Sequence, residues 1–310
     1  MRVVNKPRAL RPGDRIAIVS PASPFSRDEF DKGLDEVRRL GFEPVYHDTV
    51  FDRSLFTSGP AELRAASFVR AWSDPAVSAL MAVRGGYGSA QLLPELEGWN
   101  PAQNPKLFIA YSDNTSLHSW LTCHCGIPVI HGGMLEGRLA KGADGYDERS
   151  LMALITGDCI GLELQPAEAV TAVEGEVSGP LYGGTLTQLC ASLGTPFAFD
   201  PPAGSVLFLE DVNERPYRVD RMLTQLRLAG ILHRARALVF GEMRGCDEPN
   251  TGWKLRELLP ELLEHFDGPI VTGFPSGHTT GPSWSLPLGV RVTVRATSQP
   301  ALVIEEAPVE

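Results

Sequence analysis

The chain has 310 residues, 43% hydrophobic and 21% charged, enough apolar content to bury a large core in one or two domains. Its net charge of -10, with no basic run longer than two residues, argues against nucleic-acid binding. No stretch approaches the roughly 18 apolar residues that a membrane span needs.

The opening MRVVNKPRALRPGDRIAIVS lacks the apolar core and cleavage site of a secretory signal. The five cysteines are odd in number and irregularly spaced, which does not suggest a disulfide framework. A reducing cytoplasm is the expected compartment.

Taken in chain order, RIAIVS (15–20) reads as a buried strand. Phe30, Leu34, Val37 and Gly41 follow at helical spacing, with the glycine placed to end the helix. PVYH is a short strand, and AELRAASFVRAW a helix whose apolar side is expected to hold Leu63, Ala66, Val69 and Trp72. SALMAV, LFIAY and IPVIHGG are apolar runs of the kind found in strands covered on both faces. The alternation predicts a parallel sheet.

From Lys141 to Glu174 the period blurs, and the domain junction is placed there. The expected division is an N-terminal α/β domain over 1–140, a linker over 141–174 and a C-terminal domain over 175–310. The second domain holds the strand VLFLE and a helix opened by Pro216 with Val219, Met222, Leu223 and Leu226 on one face. A strand, ALVFGE, follows, then the leucine-rich helix of WKLRELLPELLEHF with a kink at Pro260, and further short strands.

Several stretches carry possible chemistry. In LFIAYSDNTSLHSWL, Ser112 ends a buried strand and precedes a helical run, the order of a nucleophile held on a tight turn. Ser112 or Asp113 could equally cap the helix that follows. VRGGYGSAQLL supplies Gly85, Gly86 and Gly88, whose backbone could face an anion or simply form a turn. Glu210 ends a strand beside Asp211, where α/β sheets face their ligand crevice; a solvated loop carboxylate is the plainer account. Arg215, Arg218 and Arg221 read as a charged helix face, or one of them as a carboxylate anchor.

Among seven histidines, His278 in the glycine- and proline-rich loop GFPSGHTTGPSWSLPLG is the best candidate base. His131 ends a strand and could line a pocket. Cys123, His124 and Cys125 do not suit a metal, because adjacent helical residues point about 100° apart.

Ser112, Glu210 and His278 occur in the order nucleophile, acid, base. With LRPGDRIAIVSPASP, RGGYGSAQLLP, YSDNTSLH, GPLYGGTLTQL, LFLEDVNERPYRVDRML and SGHTTGPSWSLPLG, the chain resembles the LD-carboxypeptidase family of serine peptidases. That family includes muramoyltetrapeptide carboxypeptidases and microcin C immunity peptidases. The matching blocks run in order from Leu10 to Gly289.

The resemblance implies a Ser112–Glu210–His278 triad and an oxyanion hole from the backbone N–H groups of Gly86 and Asp113. It implies an N-terminal α/β domain with a largely parallel sheet and a smaller β-rich C-terminal domain, in a homodimer. The implied activity is removal of the terminal D-alanine from cytoplasmic murein tetrapeptides during cell-wall recycling, without metal or cofactor. Arg84 and Arg218 are the candidates to hold the substrate's free carboxylate. Two positions depart from the family pattern: Ala110 replaces a glycine, and Thr185 stands where asparagine is common. The immunity branch holds a nucleotide-like group with an aromatic-bearing loop, whereas residues 139–173 contain only Tyr146. The murein branch is therefore favoured over nucleotide detoxification and over a non-catalytic murein sensor.

Overall fold

The computed structural model describes residues 4–310. Five parallel strands follow the expected alternation: β1 (Arg15–Val19), β2 (Glu43–Val45), β3 (Val77–Ala82), β4 (Leu107–Ala110) and β5 (Val129–His131). Every residue of β3 and β4 is buried, as their unbroken apolar runs require in a sheet covered on both faces. The helix Arg27–Arg39 buries Phe30, Leu34 and Val37, and Gly41 beyond it takes a positive φ of 92°.

The helix Ala61–Ser73 forms as expected but presents another face. Ala65, Phe68 and Trp72 are its buried apolar residues, while Leu63 is half exposed. The aromatics decide the rotation: Phe68 meets Trp72 at 5.6 Å, Trp99 at 6.2 Å and Phe108 at 5.3 Å. Burying two large rings gains more than burying Leu63 and Val69 would.

The expected linker is ordered. It carries the helix Glu148–Thr156 and two strands of a second sheet, β6 (Glu163–Leu164) and β7 (Val170–Val173). Strands this short show no readable period, which is why the sequence blurs there.

The remaining strands are β8 (Gly175–Thr185), β9 (Ser205–Glu210), β10 (Ala235–Gly241), β11 (Ile270–Phe274), β12 (Leu286–Leu288), β13 (Arg291–Ala296) and β14 (Ala301–Ile304). The second sheet runs β6-β14-β13-β8-β9-β10-β11-β7, parallel through β8 to β11 and antiparallel at both flanks. The helix Pro216–Leu228 buries the four predicted residues, and the helix Leu255–Leu262 accommodates Pro260 in its last turn.

The chain passes between the two sheets three times, after β5, after β11 and after β12, and the second passage bears on the site. After β11 the chain leaves the second sheet, and β12 joins the first, antiparallel to β5 with Leu286 opposite His131. The loop between these two strands carries His278. No helix among the described residues is long and apolar enough to cross a membrane.

Candidate active site

Ser112 follows β4 at the C-terminal end of the parallel strands, where an α/β sheet opens to its ligand crevice. Its φ is +64°, a left-handed conformation that a serine adopts only when the surroundings enforce it. The enforcement is visible next to it. Asp113 Oδ2 accepts the Ser89 N–H at 2.7 Å, and the Asp113 carbonyl accepts the Ser89 hydroxyl at 2.5 Å. The turn is thereby stitched to the end of the glycine loop.

A capping role for Ser112 does not hold. Its Oγ donates to His278 Nε2 at 3.1 Å rather than to its own helix. Asp113 also spends its carboxylate on Ser89. After the turn the chain winds as a 3-10 turn, an α-helix over Thr115–Ser119 and a π turn over Trp120–His124.

His278 Nδ1–H donates to Glu210 Oε2 at 2.7 Å, and the His278 backbone N–H donates to the same oxygen at 3.0 Å. Glu210 is the last residue of β9 and is 1% exposed. Its other oxygen accepts the Thr185 hydroxyl. The parallel register of β8 and β9 puts Thr185 directly opposite Glu210, so the two side chains share a face. Thr185, read from sequence only as a departure from pattern, is thus a donor to the buried carboxylate.

Asp211 turns the other way. It accepts the Thr187 N–H at 2.9 Å, the Thr187 hydroxyl at 2.7 Å and the Val212 N–H at 2.9 Å, and so serves the start of the helix Leu186–Ser192.

Three glycines shape the cleft because a side chain has no room there. A Cβ on Gly85 would lie 2.9 Å from Ser112 Oγ and 3.3 Å from the Asp113 nitrogen. A Cβ on Gly277 would lie 2.6 Å from Glu210 Oε2, and one on Gly86 2.5 Å from Ser23 Oγ. Ser23 Oγ in turn accepts the Tyr87 N–H at 3.0 Å, pinning the loop. Gly85→Ala should therefore lower kcat by about 10²-fold, the scale of losing one oxyanion donor, and cost about 1–3 kcal/mol of stability, because the added Cβ would lie 2.8 Å from the Ser112 Cβ. A near-normal kcat in that variant would show that the close approach of the glycine loop to Ser112 does not matter for turnover.

The electrostatics follow from the contacts. Burial pushes the Glu210 carboxyl up, but the His278 charge and hydrogen bond, with Thr185, bring it down to about 2. Burial also opposes charging His278, yet Glu210 and Asp211 leave its imidazole above the ordinary 6.5. His131 does not line a pocket. It is fully buried, its Nδ1 lies 3.1 Å from Ser276 Oγ, and burial lowers its pKa to about 4. The cysteine pair has no common focus: His124 Nε2 donates to the Ala198 carbonyl at 2.9 Å, and burial raises the Cys125 thiol to about 12.

Neither candidate arginine hydrogen-bonds to the Ser112–His278–Glu210 cluster. Arg84 pairs with Glu136 at 3.2 Å and donates to the Pro24 carbonyl; Arg218 pairs with Glu214 at 3.4 Å on an exposed helix face. Sequence reading missed Arg138, Gly277 and the role of Thr185. No local signal marks Arg138, whereas Gly277 stands next to the histidine.

Known proteins match most of the chain in sequence and in fold. A sequence model of the LD-carboxypeptidase N-terminal domain matches residues 16–132, and one of the LD-carboxypeptidase C-terminal domain matches 178–294. The murein tetrapeptide carboxypeptidase of Pseudomonas aeruginosa is 30% identical, over 85% of this chain and 88% of its own. The crystal structure of a muramoyltetrapeptide carboxypeptidase from Oxalobacter formigenes superimposes with a TM-score of 0.81 at 29% identity, covering 95% of this chain and all of that one. The microcin C7 self-immunity protein MccF, solved with glutamyl sulfamoyl guanosine, shares the fold with a TM-score of 0.88 at 23% identity, over 98% of this chain and 99% of that one. With both domains matched in order, the chain belongs to the LD-carboxypeptidase family and is a serine carboxypeptidase of that family.

Proposed function

We propose that this enzyme hydrolyses the L,D-peptide bond to the C-terminal D-alanine of murein tetrapeptides, in cytoplasmic cell-wall recycling. The observation that carries the reading is the relay from Ser112 through His278 to Glu210, at 3.1 and 2.7 Å, on a serine held at positive φ. His278 Nε2 takes the hydroxyl proton as Ser112 Oγ attacks the scissile carbonyl. The N–H groups of Gly86 and Asp113 receive the oxyanion beside Ser112, where the glycine loop packs closely against the turn at Gly85. His278 then protonates the leaving D-alanine amine, and water repeats the sequence on the acyl-enzyme. Glu210 holds the imidazole in the tautomer with the proton on Nδ1. The activated groups all come from the chain itself.

A murein substrate is supported by the relatives named for it and by Tyr146. That side chain, the one aromatic between residues 139 and 173, is 2% exposed and donates its hydroxyl to Glu36 Oε1 at 2.7 Å. It has no free face on which a nucleobase could stack. The test is turnover of L-Ala-D-Glu-meso-diaminopimelate-D-Ala beside an aminoacyl-sulfamoyl adenylate. Release of D-alanine with the adenylate untouched is expected; the reverse preference would overturn the substrate assignment. A homodimer is part of the same reading, and light scattering of the purified enzyme reads it directly.

Activity should rise with pH through a midpoint above 6.5, because the base must be neutral and its pKa is raised. Stability should respond with opposite signs. Glu210, held low, contributes stability above about 4.5 that is lost as pH falls toward about 2. His278, held high, contributes stability below 6.5 that fades as pH rises through its folded value. A kcat/KM profile with its acid midpoint clearly below 6.5 would contradict the assignment of the base.

Arg84 and Arg218 stay as proposed readers of the free carboxylate, since a guanidinium binds one in bidentate fashion. Removing the reader should erase the preference for tetrapeptide over its C-terminal amide. If Arg84→Ala and Arg218→Ala both discriminate as wild type does, neither arginine reads the terminus.

A further inference from the structure

Arg138 lies after β5, in the N-terminal half, yet its guanidinium is spent on the loop that carries His278. Nη2 donates to the Gly277 carbonyl at 2.7 Å and to the Thr279 carbonyl at 3.3 Å, the residues on either side of His278. Nη1 donates to the Gly281 carbonyl at 3.2 Å and the Gly145 carbonyl at 3.3 Å, and Nε donates to the Tyr111 hydroxyl at 3.3 Å. The side chain is buried, and no carboxylate among the described residues lies within ion-pair distance of it. A buried cation held only by neutral oxygens is costly to desolvate. For fixing a loop alone, a neutral donor would cost the fold less. The charge and the fork together therefore need a reason.

We propose that Arg138 is a positioning residue: it fixes loop 277–281, from the far half of the chain, so that His278 Nε2 faces Ser112. This rests on reading His278 as the base. The contact set is a clamp around one ring. Tyr111, the residue before Ser112, meets the His278 ring edge-on at 5.2 Å, and the Arg138 guanidinium lies 5.9 Å from the Tyr111 ring centroid. Arg138 thus ties the strand end bearing the nucleophile to both neighbours of the base. Serine and histidine are 166 residues apart in sequence, and nothing local sets their distance.

The charge has a second consequence. The groups facing His278 are Glu210 at the end of β9 and Asp211 just after it, Tyr111 just after β4, His131 from β5 and Arg138 itself. Two carboxylates favour the imidazolium; His131 is held neutral by burial. Arg138, which holds the carbonyls on both sides of His278, is the fixed positive charge near the ring, and its charge opposes protonation of the imidazole. Without it the base would be charged over more of the working pH range.

The experiment compares wild type with Arg138→Met and Arg138→Lys in two ways. The His278 ring is titrated by NMR without substrate, and kcat and KM for tetrapeptide are measured across pH. Arg138→Met should raise the His278 midpoint, move the acid limb of the rate profile with it, and cut kcat by about 10²-fold with KM within about threefold. Arg138→Lys keeps charge and bulk, so the midpoint should stay, but one ammonium cannot span these carbonyls and kcat should still fall about tenfold. Thermal melting identifies the folded variants, and lysine carries the test if methionine does not fold. An unmoved His278 midpoint in folded Arg138→Met, or a wild-type kcat in Arg138→Lys, overturns the proposal. Should wild type release no D-alanine, the substrate assignment fails while the NMR titration still reads Arg138.

Discussion

Ser112→Ala should abolish D-alanine release, with a loss of at least about 10³-fold, because the covalent path through the acyl-enzyme disappears. The fold should survive the change. Asp113 and Ser89 hold the turn through two hydrogen bonds that do not involve the Ser112 side chain. Alanine meets the same positive-φ strain as serine, so the backbone cost is carried over rather than added. The lost partner of His278 Nε2 opens onto the cleft, where solvent can replace it. Residual activity, if any, would come from binding and the oxyanion donors alone. Purified wild type and variant are compared with tetrapeptide, with melting curves beside them. A folded variant that keeps a tenth of the activity would end the nucleophile assignment.

Glu210→Gln should cost about 10⁴-fold in kcat, the scale seen when the acid of a serine triad becomes an amide. The carboxylate accepts two bonds from His278, one from the ring and one from the backbone, and a third from Thr185. A glutamine can keep only part of that set. If its NH2 faces the ring, Nδ1 must act as acceptor, and the proton moves to Nε2, where it blocks transfer from Ser112. Asp211→Asn is the control. Its carboxylate serves Thr187 and Val212, and the amide oxygen of asparagine can keep one of those contacts. That variant should lose about 1 kcal/mol of stability and little turnover. Should Asp211→Asn be the crippled enzyme and Glu210→Gln nearly normal, the acid has been misassigned.

Much of the first sheet was legible because its chemistry is local. Runs such as SALMAV and LFIAY are apolar on both faces, and such strands need no distant partner to be recognised. The helix Ala61–Ser73 shows the limit of the same reasoning. Its extent followed from composition, but its buried face was set by Phe68 and Trp72 meeting Trp99 and Phe108 from other elements. Residues 141–174 were illegible for a related cause: β6 and β7 are short strands stabilised by pairing with β14 and β11, not by any period of their own.

The sequence by itself determined the α/β class, and it offered Ser112 at a turn, Glu210 at a strand end and His278 in a glycine-rich loop as candidates that the family resemblance joined into a proposed triad. The class rests on unbroken apolar runs, whereas residue type and immediate neighbours alone left Ser112 readable as a helix cap and Glu210 as a solvated loop carboxylate. Only the tertiary structure decided how the three meet. Ser112 ends a strand of one sheet, Glu210 a strand of the other, and His278 lies in the loop where the chain passes from the second sheet to the first. Thr185 reaches Glu210 through strand register, and Arg138 reaches the histidine loop across 139 to 143 residues of chain. Such contacts arise from packing elements that are remote in sequence. No property of the neighbouring residues encodes them.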